Sequence, residues 1–343
     1  MSGPIRLGMI GFGRIVELVH LPLLKQLSQF QVCGIFDITP QRLSLAAKRG
    51  FPVYPHLEQL LESSVDAVLI ATPPGSHFEL AQASMRFGKH ILLEKPVTVT
   101  AEEAIELHRT AMLEQRIVTV FHNRRYDQDF LLVKRMIEEG SLGVLKFVER
   151  RHHMFGSGAA FGVKSFRRQW RNEKSYGGGA LLDWGVHLID QLLQLKLGRI
   201  SGVSATMEHL WGGDDTDVED YVHALMKTDR NILLSMDVNF ASSAGAPIWI
   251  VGGDQATLTV ASNNEAYLYE AGKTVKPVRY EHPLREGPEL IYSSFADAVT
   301  NQGKLAVTLE EAIETMKLLD RIRVVSQPSK EYPDENLIFS ATI

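Results

Sequence analysis

The sequence predicts a two-domain α/β protein. An N-terminal doubly wound parallel sheet is followed by an α+β domain with a large, mostly antiparallel sheet. Three observations carry this. The chain has 343 residues, room for roughly two domains of about 150 each. Short, almost wholly apolar runs alternate with helical patterns over the first ~120 residues, as in a parallel sheet covered on both faces. After about Asn123 the rhythm changes to longer strand-like runs with hairpin-sized gaps, which points to antiparallel pairing.

Taken in order, Ile5 to Ile10 reads as a strand and Ile15 to Leu27 as a helix. Gln31 to Phe36 is a strand and Gln41 to Arg49 a helix. Ala67 to Ile70 is a strand that stops at Thr72-Pro73-Pro74-Gly75, and Phe78 to Phe87 is a helix. His90 to Leu93, Glu102 to Glu114 and Ile117 to Phe121 complete the strand–helix–strand alternation. The first domain is expected at 1–123 and the second at 124–343. In the second, helices are expected at Phe130 to Glu139, Ala180 to Leu195 and Glu310 to Val325. Strands are expected at Leu145 to His152, Val203 to Trp211, Tyr221 to Lys227, Ile232 to Phe240, Pro247 to Val251 and Ala256 to Val260. The Ala/Ser/Gly-rich stretch from Asn239 to Pro247 reads as a turn between strands. A broad sheet with one open face pairs readily with a copy of itself, so a homodimer or homotetramer through the C-terminal sheet is expected.

Composition excludes several classes. A net charge of −5 argues against a nucleic-acid binder, which needs a basic surface to neutralise phosphates. No run of ~20 apolar residues is present to span a bilayer. The first residues lack a basic segment followed by an apolar one, so a cytoplasmic location is expected. The single cysteine, Cys33, can form neither an internal disulfide nor a thiolate zinc site, and its apolar neighbours suggest a buried strand thiol.

Gly11-Phe12-Gly13 follows the first strand and precedes a helix, the context of a dinucleotide-binding Rossmann fingerprint. The first glycine permits the tight turn, and the second lets the backbone approach a pyrophosphate. The helix N-terminus beside Arg14 and Ile15 supplies N–H groups and a positive dipole end. Val16 stands at the third position, where Gly or Ala is usual. Asp37 ends the second strand, 24 residues after Gly13, where a carboxylate accepts hydrogen bonds from the adenosine ribose and repels a 2′-phosphate. NAD is therefore expected as cofactor, with NADP possible because Arg42 lies close by. Thr72, Pro73 and His77 lie at the carboxyl end of a later strand, the edge where such sheets bind ligands.

Glu94-Lys95-Pro96 follows the strand His90 to Leu93 and puts a lysine on that edge. Asp183-Trp184-Gly185-Val186-His187 places Asp183 and His187 four residues apart, on one helical face. Together, Gly11-x-Gly13, Glu94-Lys95-Pro96 and Asp183-x-Gly185-x-His187 resemble the Gfo/Idh/MocA family over essentially the whole chain. The segment His122-Asn123-Arg124-Arg125-Tyr126-Asp127 is similar to the interdomain crossing of scyllo-inositol dehydrogenase-type members.

The resemblance implies NAD(P)-dependent hydride transfer at a sugar or cyclic polyol hydroxyl. It implies His187 as general base and acid, Lys95 stabilising alkoxide character, and Asp183 orienting the substrate. The cofactor site is expected to include Gly11, Phe12, Gly13, Arg14, Ile15, Asp37, Thr72, Pro73, His77, Glu94 and Lys95. The substrate site is expected to include Asn123, Tyr126, Trp170, Asp183 and His187.

Other features have bland readings beside functional ones. Lys164, Arg167, Arg168, Arg171 and Lys174 around Trp170 form either a substrate mouth or a solvated loop. His20 either lies near the cofactor or packs against the second domain. Asp214-Asp215-Thr216-Asp217 reads as a solvated hairpin tip. No metal site is expected, and His152 and His153 point to opposite faces of a strand. A nucleotide-sensing regulator that keeps the fold without catalysis is the rival from another class.

Overall fold

The computed structural model describes residues 3–156, 164–167, 169–211, 216–280, 287–300 and 303–327. Its first layer is a five-stranded parallel sheet of β1 (Ile5–Ile10), β2 (Phe30–Phe36), β3 (Ala67–Ile70), β4 (His90–Leu93) and β5 (Val118–Val120), in the order β2-β1-β3-β4-β5. Every residue of β3 and β5 is buried, which is why these strands read as continuous apolar runs. Around them lie α1 (Leu21–Leu24), α2 (Pro40–Lys48), α3 (Leu57–Glu62), α4 (His77–Arg86) and α5 (Ala101–Leu113). The strand order reverses between β1 and β3, so a crevice opens there beyond their carboxyl ends.

The second layer carries α6 (Gln128–Glu138), β6 (Leu145–His153), α7 (Val186–Gln194), β7 (Ile200–Glu208), β8 (Tyr221–Thr228) and β9 (Leu233–Asn239). It continues with β10 (Trp249–Gly253), β11 (Ala256–Ser262), β12 (Glu265–Glu270) and β13 (Lys276–Val278), after which come α8 (Glu289–Val299) and α9 (Leu309–Val325). Its eight strands run β13-β12-β11-β10-β6-β9-β8-β7. Burial alternates along β8, as it must where one face packs and the other meets water. One pair, β6 with β9, is parallel. Because β9 and β10 flank β6, the Ala/Ser/Gly-rich stretch between them crosses over β6; it is not a hairpin turn.

Several expectations need correction. The helix expected from Ile15 to Leu27 is a π turn, Val16–His20, running into the short α1. The helix expected from Ala180 divides in the same way, into a π turn, Leu181–Gly185, and α7. Val16, the atypical third fingerprint residue, opens the first π turn fully buried. Cys33 is only half-buried because β2 is an edge strand. The strand expected to reach Trp211 ends at Glu208. The Asp220 carboxylate takes the backbone N–H groups of Leu210 (2.7 Å) and Trp211 (2.7 Å), diverting them from the ladder.

The elements α3, β12, β13 and α8 were not expected. For α8 the signal was available: Pro288 precedes a run whose buried residues Ile291, Tyr292, Phe295, Ala296 and Val299 keep helical spacing. This helix returns to the first layer, where Tyr292 packs edge-on to Phe30 and Phe121. No helix among the described residues is long and apolar enough to cross a membrane.

Candidate active site

The carboxyl ends of β1, β3, β4 and β5 bring Gly11, Thr72, Lys95 and Asn123 to one edge. Gly11 has φ +92°, and a Cβ there would sit 2.7 Å from the Ala71 carbonyl oxygen, so only glycine fits the turn. Gly13 has open space where its Cβ would be, with nothing within 4 Å. That open backbone before a helix is what a pyrophosphate needs, so the residues present fit a dinucleotide. Arg14 and Ile15 follow, exposed.

Asp37 Oδ2 accepts from Phe12 N at 2.6 Å and Oδ1 from Thr39 N at 2.8 Å. It therefore ties the end of β2 to the glycine turn, and each oxygen keeps a further lone pair for a ribose hydroxyl. Arg42 is turned inward. Its Nε donates to Phe12 O at 2.5 Å, its guanidinium lies over the Phe12 ring, and it pairs with Glu17. Arg42 is thus committed to supporting the turn.

Thr72 and Pro73 are half-buried at the end of β3. Ser76 Oγ donates to Thr72 Oγ1 at 2.8 Å. His77, expected at the cofactor, is fully buried, with Nδ1 2.8 Å from Pro96 O and Nε2 2.9 Å from Thr72 O. The ring ties the Thr72 turn to the Lys95 turn, and its nitrogens are taken by protein. Glu94 also faces inward: Oε1 lies 2.8 Å from His20 Nε2, and Oε2 accepts from Lys95 N at 3.0 Å. Position along the chain put both residues at the right edge but could not show which way their side chains turn.

Lys95 reaches across to the second π turn. Its Nζ donates to Asp183 O at 2.7 Å and lies 3.3 Å from Asp183 Oδ1. Burial lowers the Lys95 pKa, opposed by the charges of Asp183 and Glu94. Burial pushes Asp183 up, but Lys95 and Arg171 outweigh it and hold the carboxylate below its ordinary value. Arg171 Nε lies 3.4 Å from Asp183 Oδ2. The turn is fixed by Glu219, whose Oε1 accepts from Leu181 N at 2.9 Å, while Gly179 takes φ +103° beside that carboxylate.

His187, in the first turn of α7, is 5% exposed. Its pKa falls well below the ordinary value through burial, reinforced by the positive charges of Lys95 and Arg124. Its Nδ1 is buried without a hydrogen-bond partner among the described residues. The structure thus pairs Lys95 with Asp183 and sets His187 within reach of the Lys95 charge, bringing a neutral imidazole, a cation and a carboxylate into one region.

Asn123 and Tyr126 are half-buried at the crossing between the layers. Arg125 beside them is structural: it pairs with Asp190 at 2.7 Å and Glu311 at 2.7 Å, locking the crossing to α7 and α9. Trp170 is half-buried under the Arg171 guanidinium, 4.3 Å from its ring centre. In the basic cluster, Arg167 pairs with Glu173 and Lys174 is exposed; Arg171 bonds to the site through Asp183. Asp217 Oδ1 accepts from Lys174 N at 2.7 Å, holding that segment instead of forming a free tip. Arg168 and residues 212–215 lie outside the described residues.

Sequence reasoning missed an aromatic clamp. His152 stacks on Trp184 with centroids 3.3 Å apart, and Arg124 lies 4.2 Å from the same ring centre. This joins β6, the crossing and the Asp183 turn. His153 turns the other way, onto Asp237 at 2.8 Å. His122, buried just beyond the end of β5, opens the segment His122–Asp127 and has no role legible from its sequence position. Its Nδ1 also lacks a hydrogen-bond partner among the described residues and lies 3.7 Å from Asp190.

Comparison with known proteins agrees with this architecture. A family model described as "Oxidoreductase family, NAD-binding Rossmann fold" matches residues 5–122, and one for the GFO/IDH/MocA C-terminal domain matches 130–259. A NAD-binding protein from Listeria innocua is 30% identical in its solved structure, with TM-score 0.84 and 94% of each chain covered. The scyllo-inositol 2-dehydrogenase (NADP(+)) IolW of Bacillus subtilis is 26% identical over 92% of each chain. The uncharacterized oxidoreductase YdgJ of Escherichia coli is 26% identical, covering 93% of this chain and 96% of that one.

Proposed function

Because the chain belongs to the Gfo/Idh/MocA family of NAD-binding oxidoreductases, we propose that it transfers a hydride between nicotinamide and a hydroxyl-bearing carbon of a sugar or cyclic polyol. The observation that carries this reading is the buried His187 ring, with an unpartnered nitrogen, beside the Lys95–Asp183 pair. When bound, the nicotinamide supplies the hydride acceptor or donor. The cofactor would be held by the turn Gly11, Phe12, Gly13, Arg14 and Ile15, by Asp37, and by Thr72, Pro73 and Lys95. His77 and Glu94 would act behind this surface.

In the oxidation direction His187, neutral at working pH, takes the hydroxyl proton; in reduction it returns it. The Lys95 ammonium stabilises negative charge developing on the same oxygen. Asp183 holds Lys95 and accepts from a neighbouring substrate hydroxyl. Asn123, Tyr126 and Trp170 border the space left for the rest of the substrate. The 1–123 unit would serve the cofactor, and 124–343 the substrate and self-association.

NAD is favoured over NADP. Asp37 would repel a 2′-phosphate, and Arg42 is occupied under the glycine turn. A homodimer or homotetramer through the eight-stranded sheet suits the exposed Leu225 and Leu233 on that sheet; light scattering would test it, and a monomer would remove it. The function is tested by mixing the protein with NAD or NADP and a panel of inositols and sugars. Cofactor reduction by at least one member is expected. If no polyol reduces either cofactor, and no ketose or inosose oxidises the reduced forms, the reading fails.

A further inference from the structure

Three buried side chains from distant parts of the chain line up behind Lys95: Tyr292 on α8, His20 at the end of the first π turn, and Glu94 after β4. His20 Nδ1 lies 2.7 Å from the Tyr292 hydroxyl, and Nε2 lies 2.8 Å from Glu94 Oε1. Lys95 N donates to Glu94 Oε2 at 3.0 Å. Tyr292 and His20 are 0% exposed. Phe121 covers the His20 ring at 4.6 Å, and Phe30 packs edge-on to Tyr292 at 5.4 Å.

With a neutral ring, one direction of donation satisfies every atom. Burial raises the Tyr292 pKa well above its ordinary value, so the hydroxyl keeps its proton and donates to Nδ1. Nε2–H then donates to Glu94. Burial pushes the Glu94 pKa up, and the hydrogen bond from His20 together with the charge and backbone N–H of Lys95 pulls it down. Simple packing needs only the rings. Here the hydroxyl, both ring nitrogens and both carboxylate oxygens are committed along one line that ends on the backbone N–H of the lysine, holding the turn from which its side chain projects.

We propose that Tyr292 and His20 are positioning residues which, through Glu94, fix Lys95 at the nicotinamide end of the cleft. This rests on the reading of Lys95 given above. Lys95 is faced by Glu94, Asp183 and Arg171, and its charge is also felt by His77, His122 and His187. The ring of His20 is faced by Tyr292 and Glu94. A relay member on α8, 272 residues beyond His20 in the chain, also ties that helix to the support of Lys95.

The test compares binding of NADH with binding of ADP, which lacks the nicotinamide half, by titrating the full chain. Tyr292→Phe removes one hydroxyl and keeps the packed ring. It is expected to weaken NADH about 5-fold, the scale of one lost hydrogen bond, and leave ADP within about 2-fold. His20→Ala breaks both bonds and is expected to cost NADH about 10-fold or more, again sparing ADP. His20→Gln, which offers a donor and an acceptor, is expected to recover most of that loss. Parallel weakening of both ligands, or unchanged NADH binding in Tyr292→Phe and His20→Ala, overturns the proposal. Because neither ligand is turned over, the ratio tests the relay even where the polyol panel finds no substrate.

Discussion

Two π turns open two helical segments, Val16–His20 in the first layer and Leu181–Gly185 in the second. Each is associated with a buried histidine: His20 ends the first, and His187 lies two residues beyond the second. Their surroundings differ. His20 has a partner on each nitrogen. His187 has a buried Nδ1 with none among the described residues, and positive neighbours that oppose its protonation. A buried nitrogen left unsatisfied costs about 1–3 kcal/mol. A fold carries that cost most readily where a ligand supplies the missing partner. The satisfied ring is therefore read as support. Of the rings left with an unsatisfied nitrogen, which include His122 and His152, His187 is read as the reacting group because it stands four residues after Asp183.

The comparison breaks most directly at His187. His187→Ala is expected to lower kcat about 10³-fold, within the usual span for a lost general acid–base, while NADH binding stays within about 2-fold. Steady-state turnover and a binding titration read the two effects separately. Near-normal turnover would put the two histidines in the same structural class.

Lys95→Ala comes next, with turnover expected to fall about 10²-fold as charge stabilisation is lost. The charge of Asp183 supports the protonated lysine. In Asp183→Asn the alkaline limb of the rate profile should therefore move to lower pH, as Lys95 loses its proton earlier. A limb that stays in place would detach Asp183 from Lys95.

Asp37→Ala acts on the cofactor side only. It removes a carboxylate that holds Phe12 N and Thr39 N and faces the expected ribose. The preference for NAD over NADP is expected to shrink by about 10-fold, the loss of one repulsive charge, with kcat nearly unchanged at saturating cofactor. An unchanged preference would remove Asp37 from cofactor selection.

How much of this was legible in the sequence follows from the kind of interaction that sets each feature. Strands Ala67–Ile70 and His90–Leu93 can be read to the residue, because runs of four and three apolar side chains between turn and polar residues record burial on both faces. Lys95, Asp183 and His187 are legible because short motifs fix them relative to a sheet edge or a helix face. The orientation of His77 and Glu94 is not, since it depends on carbonyls and an imidazole from other segments. The π turns are also hidden: a five-residue turn spaces apolar residues almost as an α-helix does. The relay to Tyr292 lies beyond local reading altogether, because its members are separated by 272 and 74 positions.

The smallest effect concerns stability. Burial lowers the pKa of His77, His122 and His187, that of His90 to about 4 and that of His152 to about 3. Each ring titrates near 6.5 in the unfolded chain, so below that pH the unfolded state binds more protons than the native one. Acid therefore favours unfolding: stability is full above pH 6.5 and falls as pH drops through it toward the folded values. A histidine inside its window contributes at most about 1.4 kcal/mol per pH unit to the slope. His187→Gln removes one such ring, so its melting temperature should fall less steeply than that of the wild type between pH 6.5 and about 5. Equal slopes would mean that His187 is protonated as readily in the native chain as in the unfolded one, and the contrast with His20 would lose its electrostatic half.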